Sequence, residues 1–261
     1  MARAAEGLAD AGCETPRLDA ELLLAYVLDV TRASLYMSPG ETLSPPAPAR
    51  FDGLVARRAA REPVAYIVGT KAFRRLSLAV DPRVLIPRPE TELLVEVGLA
   101  LAPGLTVADV GTGCGAVALA LKDERPDLKL TGIDVSREAL AVARENARRL
   151  GLQVRFACAD LLDGRYEAVL ANLPYVAEGE ALAPEIERYE PSEALFGGLD
   201  GLAVVRRLVA AVAATDTRLL GLEVGAGQAD AVAALLAQAG FARVERLRDL
   251  AGHERVVVGR S

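Results

Sequence analysis

From Leu105 to the end, the chain alternates short apolar runs with amphipathic stretches, and no other feature limits its fold as strongly. "LTVADVG", "LKLTGID", "VRFACAD", "YEAVLAN" and "RLLGLEV" read as strands. "AVALALKDE", "SREALAVARENARRLG", Ala203 to Ala214 and Asp230 to Ala239 read as helices, with Ser136 as an N-cap and Gly240 as a stop. Strands that are apolar on both faces and separated by helices predict an α/β domain, a doubly wound and mostly parallel sheet covered on both sides. "FARVERLRDL" and "ERVVVGR" close the chain as an expected strand pair.

The first 69 residues are helical in pattern instead. In "TPRLDAELLLAYVLDV", Thr15 suits an N-cap and Pro16 the first helical position, and Leu18, Leu22, Ala25 and Tyr26 recur at helical spacing. "SPGETLSPPAPAR" reads as a loop, and Phe51 to Arg61 as a helix whose arginines form a solvated face. Ala72 to Arg88 changes character: "FRRLSLAV" and "RVLIP" read as a hairpin turning at Asp81-Pro82, and a helix starts near Glu90. The expected organisation is a helical domain at 1–69, a β-hairpin linker at 70–89 and the α/β domain at 90–261.

Composition narrows the chemistry. A net charge of −6 argues against a surface built to hold nucleic-acid phosphates. Three scattered cysteines and one histidine, His253, leave no disulfide framework, cysteine metal cluster or multi-histidine site. No apolar run reaches the length of a membrane span and the N-terminus lacks a signal-peptide stretch, so a cytoplasmic protein is expected.

Two segments at strand ends carry chemistry. "ADVGTGCGAVAL" places Gly111, Gly113 and Gly115 between a strand and a helix, where glycines admit close ligand approach and the helix N-terminus offers free N–H groups. Asp134 ends the next strand, where an acid can accept from both ribose hydroxyls, and Asp160 ends the third, within reach of an adenine amino group. Together they point to a nucleoside cofactor. Gly111-x-Gly113-x-x-Ala116 also fits a dinucleotide fingerprint, which keeps a nicotinamide enzyme open. Cys114 reads as a small filler. The second segment is Asn172-Leu173-Pro174-Tyr175, after the fourth strand. The Asn172 side-chain carbonyl and the Leu173 backbone carbonyl can grip both hydrogens of a planar –NH₂ group, while Tyr175 offers a flat face. Such a site suits a poor amine nucleophile activated by positioning alone. By itself the segment could equally be a turn.

With "EPVAYIVG", "VLIPRPETELLVE", "VADVGTGCGAVALAL", "GIDVS", "ANLPYV", "EPSEALFGGLDGL" and "DLAGHERVVVGR" taken together, the chain resembles the N5-glutamine methyltransferases of peptide-chain release factors over nearly its whole length. The resemblance implies a class I methyltransferase fold, Rossmann-like with seven strands, bearing a small N-terminal helical domain that helps dock the release factor. It implies S-adenosylmethionine over Gly111, Thr112, Gly113, Cys114 and Gly115, with Asp134 at the ribose, Asp160 and Leu161 near the adenine, and Asn172 beside the cofactor. S-adenosylhomocysteine would be the product, and no metal is implied. Asn172, Leu173, Pro174 and Tyr175 would bind the glutamine of a Gly-Gly-Gln loop and carry the catalysis. A monomer without direct nucleic-acid or membrane contact is expected. Leu173 stands where the family pattern has a proline. Arg88 and Glu90, within "IPRPETE", would brace the site or cap a helix. Competing readings are a glutamine methyltransferase for a ribosomal protein, an adenine-N6 nucleic-acid methyltransferase and a cofactor-binding module without catalysis.

Overall fold

The computed structural model describes residues 1–37 and 44–261, so Ser38 to Leu43 of the expected loop lie outside the described residues. The elements are α1 (Ala2–Asp10), α2 (Pro16–Leu28), α3 (Ser34–Met37), α4 (Ala47–Ala59), α5 (Val64–Val68), β1 (Thr70–Phe73), β2 (Leu76–Ala79) and α6 (Glu92–Leu99). Then follow β3 (Thr106–Val110), α7 (Ala116–Glu124), β4 (Lys129–Asp134), α8 (Arg137–Leu150), β5 (Arg155–Cys158), β6 (Ala168–Ala171) and α9 (Pro184–Tyr189). The chain closes with α10 (Ala203–Ala213), β7 (Leu219–Glu223), α11 (Ala229–Gln238), β8 (Arg243–Arg248) and β9 (Glu254–Arg260). Two compact units form: Met1–Thr70 with Leu182–Tyr189, and Lys71–Ala181 with Glu190–Ser261. Among the described residues, no helix is long and apolar enough to cross a membrane.

The first unit packs Leu8, Ala20, Leu23, Leu24, Val27, Phe51 and Ile67 into its core. Pro16 opens α2 as expected, but the Thr15 hydroxyl donates to Asp19 Oδ1 (2.8 Å) rather than accepting from the backbone. The Leu18–Leu22–Tyr26 stripe faces outward, each residue more than a third exposed. Carboxylates are the reason: Asp19 and Glu21 sit on the buried face, and the helix turns to bring them to their partners. Glu21 accepts from Arg17 (3.1 Å) and the Tyr36 hydroxyl (2.5 Å). Arg58 of α4 spans Asp19 (2.7 Å) and Glu185 (2.9 Å) and is itself buried, and Arg61 also meets Glu185 (2.6 Å). The arginines of α4 therefore do not form a uniformly solvated face. Helix α4 also begins four residues before Phe51, because Pro48 is tolerated in a first turn. Arg58→Ala strands the buried Asp19 and leaves Glu185 with Arg61 alone, and is expected to lower stability by about 3–5 kcal/mol in chemical unfolding.

In the second unit the strand order is β5-β4-β3-β6-β7-β9-β8. The first five strands are parallel, and β9 runs antiparallel between β7 and β8. The winding reverses at β3, which pairs with β4 on one side and β6 on the other. Ligands of open α/β sheets bind at such a switch point, beyond the carboxyl ends of the strands. Val110 pairs with both Ile133 and Ala171, so the loops after β3 and β6 leave the sheet side by side. Ser136 caps α8 by accepting from Ala139 N (3.2 Å).

The hairpin is one turn earlier than expected. β1 pairs with β2 around Arg74, whose φ is 49°. Asp81-Pro82 does turn the chain, with Val84 N donating to Asp81 O (3.0 Å), but "RVLIP" forms no strand. Pro82, Pro87 and Pro89 remove donors from this stretch, and Ile86 N–H bonds the Glu190 carboxylate (3.1 Å) instead of a strand. Asn146 of α8, fully buried, stitches β2 to the core by pairing both backbone groups of Ala79 (2.7 and 3.0 Å), and also donates to Cys114 O (3.0 Å).

Candidate active site

A crevice of about 380 Å³ opens at the switch point. Its wall includes Gly111, Thr112, Gly113, Cys114, Asp134, Asp160, Leu161, Asn172, Leu173 and Pro174, while Gly115 and Tyr175 lie outside that lining. Each of these named wall residues reaches it from the end of a parallel strand or the loop that follows.

The glycine loop is pressed against the β6 end. At Gly111, φ is +73° and an added Cβ would lie 2.9 Å from the Asn172 backbone oxygen and 3.3 Å from Leu173 Cδ2, so only glycine fits. Gly111 and Thr112 both donate N–H to Ile133 O (2.9 and 3.0 Å). Beneath them is Asp109, a carboxylate within an apolar strand, buried and accepting from the Thr112 hydroxyl (2.6 Å) and Ala118 N (3.0 Å). Burial pushes its pKa up to about 6 against those hydrogen bonds. Burial likewise pushes the Cys114 thiol up to about 12, which leaves it protonated and without nucleophilic character at neutral pH.

Asp134 receives Gly113 N–H at one oxygen and Ser136 N–H at the other, both at 2.9 Å. Each oxygen keeps a further lone pair for a ligand. Burial raises its pKa above the ordinary carboxylate value, with the two backbone donors opposing. Asp160 is exposed and ion-paired with Arg207, and the next residue, Leu161, is held at φ 73°.

Asn172 donates from Nδ2 to Thr91 Oγ1 (3.1 Å), which leaves its side-chain oxygen as the acceptor. Among the described residues, none donates to the Leu173 carbonyl. The Leu173 side chain is buried in the sheet core. Burial foremost, then the charge of Glu223, raises the Tyr175 phenol to about 12. The Tyr175 backbone oxygen accepts from Gln228 (2.8 Å). "LFGGLDGL" clamps the same segment: Val176 N bonds Leu195 O and Gly197 N bonds Val176 O, both at 2.9 Å. A Cβ on Gly201 would come 2.1 Å from Tyr175 O, so this approach also demands glycine. Arg88 meets the buried Glu190 at 2.5 Å and thereby ties "IPRPETE" to "EPSEALF".

Thr91, Glu223 and Asp109 were not singled out from the sequence. Asp109 carried a signal, a charge inside "TVADV". Thr91 carried only its place in "IPRPETE", since its partner is 81 residues away.

The chain matches the PrmC N-terminal domain over residues 1–69 and the methyltransferase small domain over residues 89–188. It is 40% identical to a release factor glutamine methyltransferase of Geobacter sulfurreducens, with 97% of this chain and 92% of the relative covered. It is 44% identical to one of Burkholderia pseudomallei, covering 93% and 91%. A methyltransferase structure from Pyrococcus furiosus superposes with a TM-score of 0.55 at 16% identity, over 80% of this chain and 96% of the other, and so shares the fold. At these identities, over nearly the full length of both chains, the protein belongs to the release factor glutamine methyltransferase family.

Proposed function

We propose that this chain transfers a methyl group from S-adenosylmethionine to the side-chain amide nitrogen of the glutamine in the Gly-Gly-Gln loop of peptide-chain release factors. The observation that carries this reading is Asn172, whose Nδ2 is engaged by Thr91 and whose oxygen is left to accept, one residue beyond β6 and against the glycine loop.

The crevice fits a nucleoside-bearing methyl donor. Gly111 removes the Cβ that would crowd the loop, and Asp134 presents a carboxylate with lone pairs to spare. Gly111 to Gly115 would hold the donor, with Asp134 at its ribose and Asp160 and Leu161 at its adenine. When bound, it supplies an electrophilic methyl on a sulfonium. The protein's part is geometric. The Asn172 side-chain oxygen and the Leu173 carbonyl accept the two N–H groups of the glutamine amide and aim its nitrogen, and Pro174 keeps Leu173 extended. Tyr175 packs the amide's flat side. An amide nitrogen is a poor nucleophile, so alignment and exclusion of water do what a strong base does elsewhere. The product's extra proton, strongly acidic, passes to water.

The outward stripe of Leu18, Leu22 and Tyr26 on α2 is an exposed apolar strip suited to docking the protein substrate. Leu173→Pro tests the backbone role at that position. Proline keeps the carbonyl but loses the N–H and the buried side chain, so kcat is expected to change by less than about tenfold. A change of several orders of magnitude would show that the leucine side chain itself serves the reaction. Incubation of full-length release factor and ribosomal protein together with this protein and methyl-labelled S-adenosylmethionine tests the substrate. Label on the release factor is expected, and label confined to a ribosomal protein would reassign it.

A further inference from the structure

Gln228 stands at the N-cap of α11, yet its side chain makes no capping hydrogen bond there. It turns to three loops instead. Gln228 Oε1 accepts from Gly225 N (2.9 Å), in the loop after β7. Nε2 donates to Tyr175 O (2.8 Å), after β6, and more distantly to Asp200 O (3.4 Å), within "GGLDG". The order of these bonds is forced. A backbone N–H can only donate and a carbonyl can only accept, so an amide turned end for end would lose every one of them.

The contact is close as well as polar. A Cβ on Gly201 would lie 2.7 Å from Gln228 Nε2. One on Gly225 would lie 3.0 Å from Gln228 Oε1 and 3.1 Å from Tyr175 Cδ2. The Tyr175 ring therefore lies against the same Gly225 whose N–H Gln228 holds. One side chain fixes both the backbone of Tyr175 and the surface its ring rests on. Gln228 itself does not line the crevice.

We propose that Gln228 is a positioning residue for the substrate glutamine, acting through Tyr175 and using both ends of its amide in a fixed order. This rests on the reading of Tyr175 as the surface against which the glutamine amide packs. A glutamate at 228 would have nearly the same shape but only acceptors. Its carboxylate would face the Tyr175 and Asp200 carbonyls, whose partial negative charges repel it, and Tyr175 would be displaced. The same carbonyls would raise that carboxyl's pKa. Once protonated it regains an O–H for Tyr175 O, while its other oxygen keeps Gly225 N–H. The defect of a glutamate is thus large at high pH and shrinks as the pH falls. The Asp200 carboxylate does not imitate this response, because Arg206 foremost, then Leu202 N–H, holds it down at about 2.

The test compares kcat of full-length variants with wild type on full-length release factor at about pH 8 and about pH 6, with S-adenosylhomocysteine affinity by calorimetry at both. Gln228→Glu is expected to lose about 30-fold in kcat at the higher pH and about threefold at the lower, each against wild type at the same pH. Gln228→Met, similar in length but without either hydrogen-bonding end, is expected to lose about 30-fold at both. Product affinity is expected to stay within about twofold of wild type in both variants, and the calorimetric stoichiometry counts folded sites. A residue that only held the fold would cost folded sites rather than kcat per site.

Wild-type kcat per folded site in either variant overturns the proposal. So does a Gln228→Glu defect of equal size at both pH values, or a product affinity that falls in step with kcat. Either variant decides the matter should the other fail to fold. Tyr175→Ala separates the two levels. If it keeps wild-type kcat, the reading of Tyr175 fails. If it loses kcat while the Gln228 variants do not, the positioning role fails alone.

Discussion

Asn172→Ala is expected to lower kcat by about a thousandfold while leaving S-adenosylhomocysteine affinity within about twofold of wild type. The size follows from the task. A glutamine amide has its lone pair delocalised into the carbonyl, so its nitrogen attacks well only when it is aligned. Cys114 is a buried thiol with its pKa near 12, and the chain's one histidine, His253, is not among the residues lining the crevice. Alignment is then most of what the enzyme contributes, and aligned intramolecular attack is worth several powers of ten. The alanine variant keeps the Asn172 backbone oxygen that lies against Gly111, so the glycine loop stays in place. Single-turnover rates and calorimetry separate these quantities, and undiminished turnover would remove Asn172 from the reaction.

Asp134→Ala has the opposite signature. Its carboxylate holds Gly113 N–H and Ser136 N–H and keeps lone pairs for a ribose. Hydrogen bonds to a charged group contribute about 1.5–3 kcal/mol each. Loss of even one such bond to the ligand, together with the release of Gly113, is expected to raise the dissociation constant of S-adenosylhomocysteine by about 30-fold or more. An unchanged dissociation constant would exclude the ribose role. Asn172→Ala and Asp134→Ala thus divide catalysis from cofactor binding.

The second unit was readable because its signals are local. Apolar runs such as "LLGLE" and the periodic "REALAVARENARRL" each carry their own structure, and Ser136 caps the helix three residues from its partner. Asp134 was readable for the same reason, as the last residue of β4. The face of α2 was not. Its pattern offers two apolar stripes, and the choice between them is made by Arg58, 39 residues away, drawing Asp19 inward. The extended "RVLIP" stretch failed as a strand because its partner is the Glu190 carboxylate, 104 residues on. The Asn172–Thr91 hydrogen bond joins two segments 81 residues apart that only the fold brings together. What the sequence concealed in each case is a polar side chain whose partner is distant, while what it displayed is periodicity.

The most direct measurement is the position of the transferred methyl. After release factor is incubated with this protein and S-adenosylmethionine, fragmentation mass spectrometry of the Gly-Gly-Gln peptide should place one methyl on the glutamine side-chain nitrogen. A methyl on a backbone nitrogen, on a carboxyl oxygen or on another residue would contradict a site built to grip and aim a primary amide.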